Sequence, residues 1–382
     1  MKARLLGLTA LTGAACLVGQ YLAVPMAANA VGTGPVPFSQ AKFSGYASGD
    51  EAHLGAVTVG TTTLADVEQA FSGATTDTRT GLTSVLKDPD PTAATNTGTV
   101  IQPAQAASVK AYGTGSGLEV GVGTSSTAAA DANQLKLSGQ AESIAPPISP
   151  AVVKTTSVPT ALRPVISGDS LTGIADTLFD PNVCPLGQPI SYGLGAGSNV
   201  SLVNTGLIPP VVQTATASQT ANTTSYTYVN ANPDGTFGLA TTATEIVTPL
   251  TINLSALLKL SVTLSGSQDG LAPANPVTLT TLSTGEGTSR SALTNNNFLT
   301  VTLTTAGIPA QIIPPTLLSG LTAPMQTTIP LVGTITINTL TQASAGNTAS
   351  AAYTLLGLNL NLASLLPLVN LEVGHLVAGA SV

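Results

Sequence analysis

The chain predicts an all-β fold, an antiparallel sandwich or barrel-like set of sheets with one or two short helices. Period-two alternation carries the prediction. From Leu250 to Leu264 every even position is apolar (Leu250, Ile252, Leu254, Ala256, Leu258, Leu260, Val262, Leu264), and the odd positions are polar except Leu257. One long or bent strand buries those residues on one face, whereas a helix would spread them around its circumference. Shorter alternating runs follow at Leu299, Val301 and Leu303; at Leu331, Ile335 and Ile337; at Leu356, Leu358, Leu360 and Leu362; and at Val369, Leu371 and Val373. Composition agrees: Thr and Val suit half-buried pleated faces, and 38 Gly with 26 Pro suit turns.

The elements are read in chain order. Residues 1–30 form an export leader. Lys2 and Arg4 make a positive start, Leu5 to Val24 is apolar and uncharged, and Ala28-Asn29-Ala30 is a small-x-small cleavage site. After a lead-in over 31–42, Phe43 to Val59 reads as extended. Leu64, Val67 and Phe71 recur at helical spacing behind Thr63, with Asp66 three residues on, which predicts a short capped helix. Residues 87–106 are Pro-rich and polar, a loop or linker. Residues 109–111 and 118–122 read as a hairpin about the turn Thr114-Gly115-Ser116-Gly117. Pro146, Pro147 and Pro150 mark a boundary between an N-terminal β-rich region (31–150) and a main β-sandwich (151–382), which can also form one domain. Asp169 to Phe179 adds a second short helix through Leu171, Ile174 and Leu178. Tyr226 and Tyr228 face Phe237 and Leu239 across the turn Asn232-Pro233-Asp234-Gly235.

Composition excludes several function classes. The net charge is −7, and two of the 11 basic residues lie in the leader, so there is no electrostatic footprint for nucleic acid or an anionic membrane. Aromatics make up 3% with no Trp, which argues against stacking platforms for bases or sugars. Cys16 lies in the leader and lacks a lipobox before it, leaving Cys184 alone as a buried small hydrophobe or an intermolecular link. The most apolar later stretch, Leu355 to Val373, is broken by Asn359, Asn361, Pro367, Asn370 and Glu372, so no transmembrane segment is expected. No LPxTG sorting signal occurs.

Few residues suggest chemistry. Gly168-Asp169-Ser170-Leu171 spells the motif of GDSL-type esterases, with Ser170 as nucleophile and His375, in Glu372-Val373-Gly374-His375, as the only candidate base. Glu replaces the usual Asp, no Asn-Asp pair is present, and strands do not alternate with helices, so Asp169 capping a short helix explains the same letters. His53 and His375 lie in the first and last extended segments beside Asp50, Glu51 and Glu372. If those segments pair, His53, His375 and Glu372 can form a mixed metal site; otherwise both histidines are structural. Asp88 and Asp90 do not meet a calcium-loop pattern and read as a solvated turn. Asn-x-Ser/Thr triplets start at Asn199, Asn222 and Asn253. No cofactor is expected.

Residues 43–57 (FSGYASGDEAHLGAV), 184–195 (CPLGQPISYGLG) and 358–382 (LNLNLASLLPLVNLEVGHLVAGASV) resemble uncharacterised secreted proteins of high-GC Gram-positive bacteria (actinobacteria), grouped as cell-surface proteins of the choice-of-anchor kind. The resemblance implies a surface or envelope role without known catalysis. The expectation is therefore a secreted structural or adhesive protein, with cell-wall or surface components as partners and a capacity for self-association. The alternatives are a GDSL-type esterase and a β-fold carrier of an apolar ligand.

Overall fold

The computed structural model describes residues 42–382 apart from 60–61, 80–81, 83–85, 89–96, 100–108, 123–133, 136–139, 147–149, 159–165, 169, 181–185, 187, 203–211, 215–219, 254–256, 330–332 and 361–368. The leader, Asp90, Asp169 and Cys184 lie outside the described residues.

All described regular structure is strand, except a single 3-10 turn at Leu318–Gly320. The chain runs through β1 (Ser44–Val59), β2 (Thr62–Asp77), the small hairpin β3 (Leu86–Asp88) and β4 (Thr97–Thr99), β5 (Ala111–Val122), β6 (Gln134–Leu135) and β7 (Ala141–Ala145). There follow β8 (Val152–Thr156), β9 (Ile166–Ser167), β10 (Ser170–Thr177), β11 (Pro189–Ser198), β12 (Ser201–Leu202), β13 (Val212–Thr214), β14 (Thr220–Ala231) and β15 (Phe237–Ile246). The rest are β16 (Leu250–Asn253), β17 (Leu258–Ser265), β18 (Val277–Ser283), β19 (Ser289–Thr294), β20 (Phe298–Thr305), β21 (Ile308–Leu317), β22 (Met325–Ile329), β23 (Gly333–Ala345), β24 (Thr348–Leu360) and β25 (Val369–Ser381).

Three antiparallel sheets result, none of them closed. The first has the order β22-β23-β24-β25-β1-β2-β5-β6, with β7 also on β5, so strands from both ends of the chain share it. The second has the order β8-β10-β11-β14-β15-β18-β19 and the third β9-β12-β13-β16-β17-β20-β21. These two orders match with an offset of one strand, β8 and β21 being left over at opposite edges. β9 leads into β10, β11 into β12 and β15 into β16 within a few residues. The second layer of the sandwich is thus a meander whose long strands break midway into two sheets.

The first layer crosses the same break without dividing. Strands β23, β24, β25, β1, β2 and β5 run through it, and apart from a bulge between Leu64 and Asp66 on β2 the ladder lapses along one transverse line: at Asn338, Leu355, Gly374, Glu51, Ala70 and Gly117. Every second residue of that line is left-handed: Asn338 (φ 60°), Gly374 (φ 66°) and Ala70 (φ 54°). A left-handed residue turns the pleat over and bends the strand. The core shows the inversion. On β24 it uses Leu358 and Leu356 before the line, then Tyr353 and Ala351; on β25, Leu371 and Val373, then Leu376 and Ala378.

The two halves pack differently. Beyond the line, Ile335, Ile337, Leu356, Leu358, Leu371 and Val373 join one apolar core with Leu250, Ile252, Leu260, Val262, Leu299 and Val301 of the third sheet. On the other side the first and second sheets meet at backbone distance. A Cβ on Gly113 or Gly115 would run into the carbonyls of Tyr192 or Leu194, and one on Gly193 into that of Thr114.

Four sequence expectations are corrected. The helix at Leu64, Val67 and Phe71 is part of β2, because pairing with β1 and β5 outweighs three residues at helical spacing. The helix over Asp169–Phe179 is strand β10, paired on both sides. The hairpin at 109–122 is the single strand β5, whose glycines serve close packing rather than a turn. The long strand Leu250–Leu264 is the antiparallel pair β16 and β17, with Leu250 opposite Val262 and Ile252 opposite Leu260; even positions face inward on both strands. The Asn232–Gly235 turn does join β14 to β15, with Gly235 left-handed and Asp234 accepting from Thr236, but the register sets Tyr226 opposite Thr242 and Tyr228 opposite Ala240, while Phe237 and Leu239 pair with Ala231 and Val229.

Candidate functional site

Charged residues make up 8% of the chain, yet several gather inside the sandwich where the transverse line crosses β1, β2 and β25. Asp50 (3% exposed) and Glu51 (1%) come from β1, Glu68 and Gln69 from β2, Glu245 (0%) from β15 and His375 (5%) from β25. Strand pairing sets the first contacts: Asp50 lies opposite His375, with Asp50 Oδ2 3.5 Å from His375 Nδ1. Glu51 is fully satisfied. Its Oε1 accepts the backbone N–H of Thr248 at 2.8 Å and also the Thr248 hydroxyl. Its Oε2 accepts Gln69 Nε2 at 2.6 Å.

Glu245 differs. It shares the phase of Ala243 and Val247, both buried, and points into the first layer. It occupies space that a side chain on Gly374 would fill, since a Cβ there would stand 2.5 Å from Glu245 Oε1. Neither of its carboxyl oxygens has a hydrogen-bond partner among the described residues. Burial pushes its proton affinity well up, reinforced by Asp50 and Glu51 and opposed by His375. Burial likewise raises Glu51 to about 7 against the hydrogen bonds from Thr248 and Gln69, with Asp50 adding to the rise.

A second polar group lies further along the line. Tyr353 donates to Asn338 Oδ1 at 3.0 Å and accepts from Asn295 Nδ2 at 2.7 Å. Asn297 extends the chain to Asn295 (2.9 Å) and to the Asn275 carbonyl (2.9 Å). Asn is among the few residues that tolerate a left-handed backbone, and the tyrosine bond fixes its side chain there. At Ala70 the Thr223 hydroxyl caps the carbonyl.

The residues singled out from the sequence scatter over the fold. β1 and β25 do pair, as the metal reading required, and His53 stands opposite Glu372 on one side and Glu68 on the other. His375 falls three positions further, on Asp50, past the phase break at Gly374. Among the described residues no group of three or more His, Cys, Asp or Glu is placed to hold a metal ion. Ser170 is exposed at the start of β10, opposite Ser198 in the second sheet, while His375 is buried in the first. Asp88 ends β3. Sequence reading overlooked Glu245, Gln69 and Thr248. The available signal was Glu245 itself: in a chain with so few charges, an acid in phase with inward apolar residues is conspicuous.

Among the described residues no helix is long and apolar enough to cross a membrane. No family model, curated protein or solved structure matches the chain.

Proposed function

We propose that the chain is a non-catalytic secreted β-protein that works at the cell envelope or outside the cell as a structural or adhesive component. The observation that carries this reading is the contrast between interior and edges. The acids and the imidazole that chemistry would need are enclosed in the sandwich, at 5% exposure or less. The edges of the second sheet carry one cation each, Lys154 on β8 and Arg290 on β19, but two other edges carry none. β21 has no charged residue, and Pro309, Pro314 and Pro315 punctuate it; β22 (Met325–Ile329) has neither charge nor proline and ends its sheet. An edge without such blocks is a template for pairing with another strand. The export leader and the resemblance to surface proteins support the same reading.

Fractionation of the native host, with a high-salt wash and sedimentation of the purified protein, tests it. The expected result is recovery in the wall fraction or in large assemblies, with assembly weakened by Thr328→Lys on the exposed face of β22. A strictly monomeric protein free in the medium, with no affinity for walls or surfaces, would overturn it.

A further inference from the structure

We propose that Thr248 and Gln69 form an intramolecular ester cross-link, with Glu51 as the group that moves the proton. The inference goes beyond the functional reading above and does not rest on it. One carboxyl holds both reactants: Glu51 Oε1 accepts the Thr248 hydroxyl and Oε2 accepts the Gln69 carboxamide. Gln69 is 0% exposed, Glu51 1% and Thr248 5%. Enclosure matters because water competes with a hydroxyl for any activated acyl group.

The reaction balances without an oxidant, metal or cofactor. Thr248 Oγ1 attacks the Gln69 side-chain carbonyl carbon as its proton passes to Glu51. A C–O bond forms and a tetrahedral adduct results. The adduct collapses as the C–N bond breaks, and Glu51 returns the proton to Nε2, which leaves as ammonia. Hydroxyl plus carboxamide gives ester plus ammonia, and Glu51 ends in the protonation state in which it began. A threonine hydroxyl is a weak nucleophile that needs an adjacent base, and a carboxyl titrating near neutrality is available as both base and acid. The groups that face Glu51 favour this: Asp50 beside it on β1 opposes its charge, while Gln69 on β2 and Thr248 hydrogen-bond it, and Glu245 comes in from β15. His375 on β25 neighbours Asp50.

The position gives the bond a purpose. Thr248 lies on the connection between β15 of the second sheet and β16 of the third, and Gln69 lies within β2 of the first. One covalent bond there ties all three sheets at the line where the second layer is broken.

Trypsin digestion and mass spectrometry test the proposal. Lys42, Arg79, Lys154 and Lys259 bound the fragments 43–79 and 155–259, since Arg163 precedes Pro164 and resists cleavage. The folded wild-type protein is expected to yield these two fragments joined, lighter than their sum by one ammonia. Hydroxylamine should separate them and leave a hydroxamate on residue 69. Thr248→Ser should keep the link, and Thr248→Ala and Glu51→Gln should lose it. Recovery of both fragments at unmodified mass from folded wild-type protein would overturn the proposal, as would a link that survives Thr248→Ala. Should the Ala and Gln variants fail to fold, the wild-type digest and its hydroxylamine cleavage decide the matter alone.

Discussion

Gly374 shows how one residue can set a site. Its φ of 66° costs most residues that carry a Cβ about 1–2 kcal/mol. Its missing side chain also leaves room for the Glu245 carboxyl. Gly374→Ala therefore adds backbone strain to a clash with a buried acid, and should lower stability by about 2 kcal/mol or more, read as a shift in the urea midpoint. The acids make stability depend on pH. Glu51 has an ordinary value of 4.5 and titrates at about 7 in the fold. Between those values the folded state binds more protons than the unfolded chain, so stability is greatest below 4.5 and falls as pH rises towards 7. At ~1.4 kcal/mol per pH unit, Glu51 alone removes about 3 kcal/mol across that window. Glu245 acts in the same direction and carries the fall further. Midpoints measured from pH 4.5 to 7.5 should decline in the wild type and decline less in Glu51→Gln; midpoints that rise with pH would contradict this account.

At the scale of elements, β5 is the instructive strand. Alternate glycines at 113, 115 and 117 look like a turn, because glycine usually marks flexibility. Here they remove side chains from one face so that β5 can lie against β10 and β11 at backbone distance. Adding a single methyl should separate the sheets. Gly115→Ala is expected to give insoluble protein or a sharply lowered melting temperature, whereas Gly307→Ala, in a turn with no atom within 4 Å, should cost only its backbone strain. Comparing the two by thermal melting separates close packing from loss of conformational freedom. The β16–β17 hairpin teaches a related lesson: even-numbered residues remain inward on both strands, so alternation alone does not distinguish one long strand from two paired ones.

Across the whole molecule, the transverse line organises the fold. On one side glycines let β2 and β5 lie against β10 and β11 at backbone distance, beside a separate cluster of Phe43, Phe179, Ile190 and Leu239; on the other the layers meet through Leu, Ile and Val. Polar groups mark the change of packing, and the Tyr353 hydroxyl spans it, joining Asn338 of the first layer to Asn295 of the second. Tyr353→Phe leaves two buried amides each short of a partner and should lower stability by about 1–3 kcal/mol, measurable by denaturant titration. A bond between residues 69 and 248 would close a far larger loop than most cross-links do. By the chain-entropy argument it would contribute on the order of 4–5 kcal/mol, and alkaline hydrolysis should lower the refolded protein's melting temperature accordingly.

The all-β class was legible because alternation is a local property: half-buried strands from Phe43 to Val373 repeat with period two whichever partner they take. The β14–β15 hairpin was legible for the same reason, since Asn232-Pro233-Asp234-Gly235 sets its turn within four residues. Tertiary structure decided the rest. Whether the glycines of β5 bend or pack depends on a strand some 80 residues away. Whether Leu64, Val67 and Phe71 lie on a helix depends on β1 and β5 claiming the backbone hydrogen bonds of β2. The candidate site draws Glu51, Gln69, Glu245 with Thr248, and His375 from four separate stretches of chain. No spacing in the sequence records their meeting, because it is fixed by strand order and by the left-handed residues that turn the pleat, and both are properties of the assembled sheets.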